Sequence, residues 1–70
     1  MKKKIKIKIN GKFSTINENL SLLTFLKQLK MPLKKVAIEL NREIIDKNKI
    51  KKIKLKQNDK IEIVHFIGGG

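Results

Sequence analysis

From Lys4 to Ile9 the chain alternates strictly between Lys and Ile, which sends Ile5, Ile7 and Ile9 to one face of a strand and Lys4, Lys6 and Lys8 to the other. Asn10-Gly11 follows, a dipeptide that readily takes the positive φ values of a type I′ turn, so Lys12 to Ile16 is predicted to return as the antiparallel partner. The pattern then changes period. Leu22, Phe25, Leu26 and Leu29 recur at helical spacing behind Ser21, a suitable N-cap, with Leu20 and Phe25 at the two positions of a hydrophobic staple. A helix over 22 to 30 is expected, closed by Pro32, which disfavours helical geometry at Met31.

Beyond the helix, Lys35 to Leu40 reads as a third strand, with Val36, Ile38 and Leu40 on one side and Ala37 and Glu39 on the other. Asn41-Arg42 makes a turn before Glu43-Ile44-Ile45, and Asp46 to Lys52 is a Lys-rich connector whose only large apolar side chain is Ile50. Ile53-Lys54-Leu55 has the pattern of a short edge strand, and Gln57 to Lys60 the composition of a turn. The last strand, Ile61 to Ile67, is the most apolar and carries large apolar groups on both faces, which marks it as central in a sheet or as part of an interface. It runs into Gly68-Gly69-Gly70.

Seventy residues hold one small domain with a modest core, here 1–67, followed by a three-glycine tail, 68–70. With no Cys there is no disulfide framework, thiolate nucleophile or sulfur-ligated metal site. One His and six carboxylates leave little from which to assemble a catalytic centre, so a binding or carrier domain is expected instead of an enzyme. His65 has no second His or Cys beside it and reads as a surface or packing residue, and no metal or bound cofactor is expected. No apolar run reaches the roughly 20 residues of a membrane span. The basic start, Met1 to Lys4, leads into alternation and not into a signal-peptide core, which suggests a cytoplasmic protein with no membrane partner.

The net charge of +12 invites a nucleic-acid reading. Yet seventeen of the eighteen cations are Lys, and Lys, Ile and Asn together make up half of the chain, a bias that AT-rich codons produce without any selected anion site. The three aromatics, Phe13, Phe25 and Phe66, read as packing residues and not as a stacking platform, so nucleic acid is disfavoured as a partner. Lys4, Lys6, Lys8 and the group from Lys47 to Lys60 give one sheet face a basic field that would speed encounter with acidic partners. Glu39 and Glu62 have Lys neighbours with which to pair across the sheet, at little gain when exposed.

The resulting order, two strands, a helix and two or three further strands ending in glycines, resembles the ubiquitin-like β-grasp family, and within it the ThiS-type sulfur carriers of thiamin thiazole biosynthesis. The matching residues are Ile9-Asn10-Gly11, the Leu-rich helix after Ser21, Val36 to Asn41, and Asn58 to Val64 leading to Phe66-Ile67-Gly68-Gly69-Gly70. The resemblance implies an α+β fold, a mixed four- to five-stranded sheet with one helix packed across it. It also implies that chemistry takes place at the main-chain carboxylate of Gly70. An E1-like, ThiF-type adenylyltransferase would adenylate it with MgATP, a sulfur donor acting through that partner would convert it to a thiocarboxylate, and a ThiG-type thiazole synthase would receive the sulfur. The carrier itself is expected to be a monomer when alone. Two departures stand out: family members often have Gly where this chain has Arg42 and Asn58. Asn tolerates left-handed geometry; Arg42 leaves its turn type open.

Lacking a Cβ, Gly68, Gly69 and Gly70 suit threading into a narrow channel, although the same run also reads as a frayed end. Val64, Phe66 and Ile67 are the candidate partner-binding residues. With Ile61 and Ile63 facing the helix, Val64 and Phe66 would form an exposed docking patch beside the tail; a bulge at His65 would instead fold Phe66 into the core. Two alternatives accompany the thiazole reading. One is a MoaD-like carrier for molybdopterin or another sulfur pathway, against which the Phe66-Ile67 approach to the glycines, lacking Pro, favours the thiazole type. The other is a basic β-grasp nucleic-acid-binding module that would not need Gly70.

Overall fold

Left-handed backbone at Asn10 (φ 48°) and Gly11 (φ 82°) folds the first alternating segment straight back on itself. In the computed structural model, which describes residues 3–65, strand β1 (Lys4–Ile9) pairs antiparallel with β2 (Lys12–Asn17), in the register Ile9 to Lys12 and Lys8 to Phe13. Helix α1 (Leu22–Gln28) starts at Ser21, whose Oγ accepts the Thr24 N–H at 3.1 Å. Strands β3 (Val36–Leu40), β4 (Glu43–Ile44) and β5 (Lys60–His65) complete a five-stranded sheet of order β2-β1-β5-β3-β4. Here β5 is central, parallel to β1 and antiparallel to β3. This is the mixed sheet with one helix expected of a β-grasp domain.

The core lies between sheet and helix. Ile7, Ile38, Ile61 and Ile63 from the sheet and Leu22, Phe25 and Leu26 from α1 belong to one buried cluster, with Leu20 packed against it as the staple requires. Several sequence expectations need correction. The helix stops at Gln28, short of 30, because Lys30 adopts left-handed backbone (φ 58°). The Lys30 N–H then donates to the Lys27 carbonyl at 3.0 Å and the Met31 N–H to the Leu26 carbonyl at 3.2 Å, a Schellman closure that precedes any influence of Pro32. Leu29, as the C-cap, is 40% exposed and lies outside the core. Lys35 belongs to a 3₁₀ turn, Leu33–Lys35, and not to the third strand.

Ile53-Lys54-Leu55 is not a sheet strand. Lys54 forms an isolated bridge with Ser21, in which the Leu22 N–H donates to the Ile53 carbonyl and the Leu55 N–H to the Leu20 carbonyl, each at 2.8 Å. The segment therefore pairs with the helix entrance. Leu55, and Ile50 from the 3₁₀ turn Ile50–Lys52, insert into the core and anchor the connector. Lys60 is the first residue of β5 and not the end of a turn. Phe66, Ile67 and the glycines, with the expected boundary between domain and tail, lie outside the described residues.

Candidate functional site

The strand that leads toward Gly70 is held on both sides by asparagine side chains. Along β1 the parallel ladder runs from the Asn58 N–H to the Lys6 carbonyl, from the Lys8 N–H to the Asp59 carbonyl, and from the Asn10 N–H to the Ile61 carbonyl, at 2.8–2.9 Å. The next rung belongs to the Ile63 N–H, but there the chain turns away at Asn10. Its side chain takes over: Asn10 Oδ1 accepts the Ile63 N–H at 2.8 Å. Asn41 does the same on the β3 side. Its N–H donates to the Lys60 carbonyl at 2.7 Å, and its Oδ1 accepts the Lys60 N–H at 2.9 Å where its own carbonyl has turned away. Asn41 Nδ2 also donates to Asp59 Oδ1 at 3.0 Å, while Asp59 Oδ2 accepts the Lys56 N–H at 2.8 Å and closes the turn before β5.

Both asparagines sit at left-handed positions, φ 48° and 52°, followed by Gly11 and Arg42 at 82° and 73°. Arg42 therefore completes a primed turn without the help of glycine, and Asn58 (φ 72°) fulfils the expectation of left-handed geometry at the later turn.

On the sheet face opposite α1, register pairing lines up three rows. Phe13, Lys8 and Lys60 share the first, across β2, β1 and β5. Glu62, Glu39 and Ile44 share the second, across β5, β3 and β4. Val64 and Ala37 share the third, at the end of β5 nearest the glycines. Val64 is 54% exposed and Ile44 77%. Glu39 and Glu62 face each other directly, an arrangement of like charges that costs stability. His65 is exposed at the strand end, and among the described residues no cluster of His, Asp or Glu has the arrangement of a metal site.

Phe25 is buried, as read from the sequence, but Phe13 is not a packing residue: it is 68% exposed, with the Lys6 and Lys8 ammonium groups 5.4 Å and 5.0 Å from its ring centroid. The signal for this was present. A two-residue turn at 10 and 11 pairs 9 with 12 and 8 with 13, so Phe13 had to share the face of Lys8. Of the candidate partner-binding residues Val64, Phe66 and Ile67, only Val64 is described; Phe66, Ile67 and the tail residues Gly68, Gly69 and Gly70 fall outside.

Comparison with known proteins settles the lineage. The model of the ThiS family matches residues 7–70. The chain belongs to that family. Its fold superposes on the crystal structure of the thiamine biosynthesis protein ThiS from Geobacter metallireducens with a TM-score of 0.84 and 32% identity, covering 94% of this chain and 100% of that one. The sulfur carrier protein ThiS of Bacillus subtilis is 51% identical over 35 residues, 50% of this chain and 53% of that protein. A thiazole synthase of Paramagnetospirillum magneticum is 36% identical over 66 residues, 94% of this chain but only 20% of the synthase. The chain thus spans about a fifth of the length of the thiazole synthases that it matches.

Proposed function

We propose that this ThiS-family protein carries sulfur for the thiazole moiety of thiamin on the main-chain carboxylate of Gly70. The observation that supports this most is the joining of a central strand, clamped by Asn10 and Asn41, to the run Phe66-Ile67-Gly68-Gly69-Gly70 within the stretch that the family model matches. A fixed strand gives the glycines a defined point of departure, and their lack of Cβ suits entry into a narrow enzyme channel.

In this reading a ThiF-type adenylyltransferase binds MgATP, and a Gly70 carboxylate oxygen attacks the α-phosphorus. Pyrophosphate leaves and an acyl adenylate remains. The terminal sulfur of a donor persulfide attacks the acyl carbon and expels AMP; a thiol of the donor system then cleaves the acyl disulfide and releases the thiocarboxylate. Because the carrier contributes only its own terminus, it needs neither Cys nor a catalytic dyad. A ThiG-type synthase takes the sulfur, and the presence of a segment like this chain within proteins named thiazole synthase supports that partnership over a molybdopterin one. A reducing cytoplasm suits a thiocarboxylate. Among the described residues no helix is long and apolar enough to cross a membrane.

Val64, exposed on β5, docks the carrier, and Phe66 and Ile67 are the further candidate partner-binding residues. Exchange of labelled pyrophosphate into ATP by a ThiF-type enzyme tests the reading. Exchange should require this protein, stop on deletion of Gly70, and weaken at least tenfold in V64D, with thermal unfolding of both variants close to that of the parent. Exchange that persists without Gly70 would refute the assignment of the reacting carboxylate.

A further inference from the structure

On the outward sheet face, lysines gather toward one corner, with Glu62 and Glu39 at its border. Lys6, Lys8 and Lys60 gather at the β2-β1-β5 corner, and a shallow hollow of about 220 Å³ lies among them, Phe13 and Asn58. Lys8 and Lys60 also line a second hollow, of about 190 Å³, together with Arg42, Gly11 and the carboxylate-bearing Glu62. The exposed Phe13 ring stands in the first hollow with two ammonium groups drawn over it, so an apolar surface is presented inside a cluster of like charges.

We infer that this corner, Phe13 with Lys6, Lys8 and Lys60, is a docking site for an acidic protein surface that offers an apolar recess to the Phe13 ring. The inference rests on the carrier reading, in which the activating enzyme is the protein that meets this face. Carboxylates brought against the three lysines relieve their mutual repulsion, and an aromatic anchor ringed by charges has the anatomy of an interface hot spot. The face argues against a nucleic-acid occupant. Within two strand spacings, roughly 10 Å, the basic corner gives way to Glu39 and Glu62, which would repel a phosphate backbone continuing across the sheet. A protein can match a surface of both signs; a uniform polyanion cannot.

Steady-state activation by the ThiF-type enzyme, measured against carrier concentration at several ionic strengths, tests the inference with the parent protein, F13A, F13L and the double variant K6Q/K8Q. The expected result is a roughly tenfold or greater rise in carrier KM for F13A and K6Q/K8Q, with kcat unchanged, a shallower salt dependence for K6Q/K8Q, and F13L close to the parent. Parent-like KM values in F13A and K6Q/K8Q would overturn it. So would binding of a fluorescent oligouridylate at physiological salt that F13A abolishes while KM stays put, which would assign the corner to nucleic acid. A loss of circular dichroism in F13A would make Phe13 structural and equally overturn its role as anchor. If the parent is not activated at all, the carrier reading itself fails, an outcome distinct from parent-like variants.

Discussion

Asn10 Oδ1 accepts the backbone N–H of Ile63 at 2.8 Å, a side chain standing in for the carbonyl that the hairpin turn has taken out of the ladder. The contact spans 53 residues of sequence and ties the first turn to the strand that leads to the glycines. Replacing Asn10 by Ala removes the acceptor of a part-buried N–H and should cost about 1–3 kcal/mol. N10D keeps both an oxygen and tolerance of left-handed backbone and should lose much less. Urea unfolding compares the two; equal losses would show that the acceptor is not what matters.

Asn41 and Asp59 form the corresponding clasp on the other side of β5. Because they share one hydrogen-bond network, their effects should not add. A double-mutant cycle of N41A and D59A is expected to give a coupling energy of about 0.5–3 kcal/mol, whereas additive losses would mean that each acts only through its own backbone partner.

Lys30 and Arg42 occupy left-handed backbone, at φ 58° and 73°, where a Cβ costs about 1–2 kcal/mol and where glycine is the ordinary choice. Part of the gain from glycine is lost to the greater entropy of the unfolded chain. K30G and R42G should each still raise the melting temperature, by up to about 4–8 °C for each kcal/mol retained in a domain of this size. Calorimetry decides this, and a fall in melting temperature would show that the side chains contribute contacts that outweigh the strain.

The elements most legible in the sequence were those governed by parity and local turn chemistry. Alternation from Lys4 to Ile9 assigned the faces of β1, Asn10-Gly11 assigned the turn, and the apolar character of Ile61 to Ile67 narrowed the last strand to a central or an interface position, of which the sheet order shows the central one. Less legible was whatever depends on a distant partner. Ile53 and Leu55 alternate like a strand, but alternation names a face and not a neighbour, and their neighbour is the helix entrance at Leu20 to Leu22. The end of α1 was missed because its left-handed residue is a lysine, a type with no preference for that geometry. Of the candidate site, the sequence marked Val64 correctly as facing away from the buried Ile61 and Ile63, while Phe13 was misread because its aromatic character was weighed and its register was not.

In the proposed function the sulfur is carried on the Gly70 carboxylate. Intact-mass measurement of the purified protein after incubation with a ThiF-type enzyme, MgATP and a persulfide donor tests it most directly. The expected result is a gain equal to the exchange of one oxygen for sulfur, localised to the C-terminal peptide and absent when Gly70 is deleted. An unchanged mass under conditions in which the same enzyme thiocarboxylates its own carrier would contradict it.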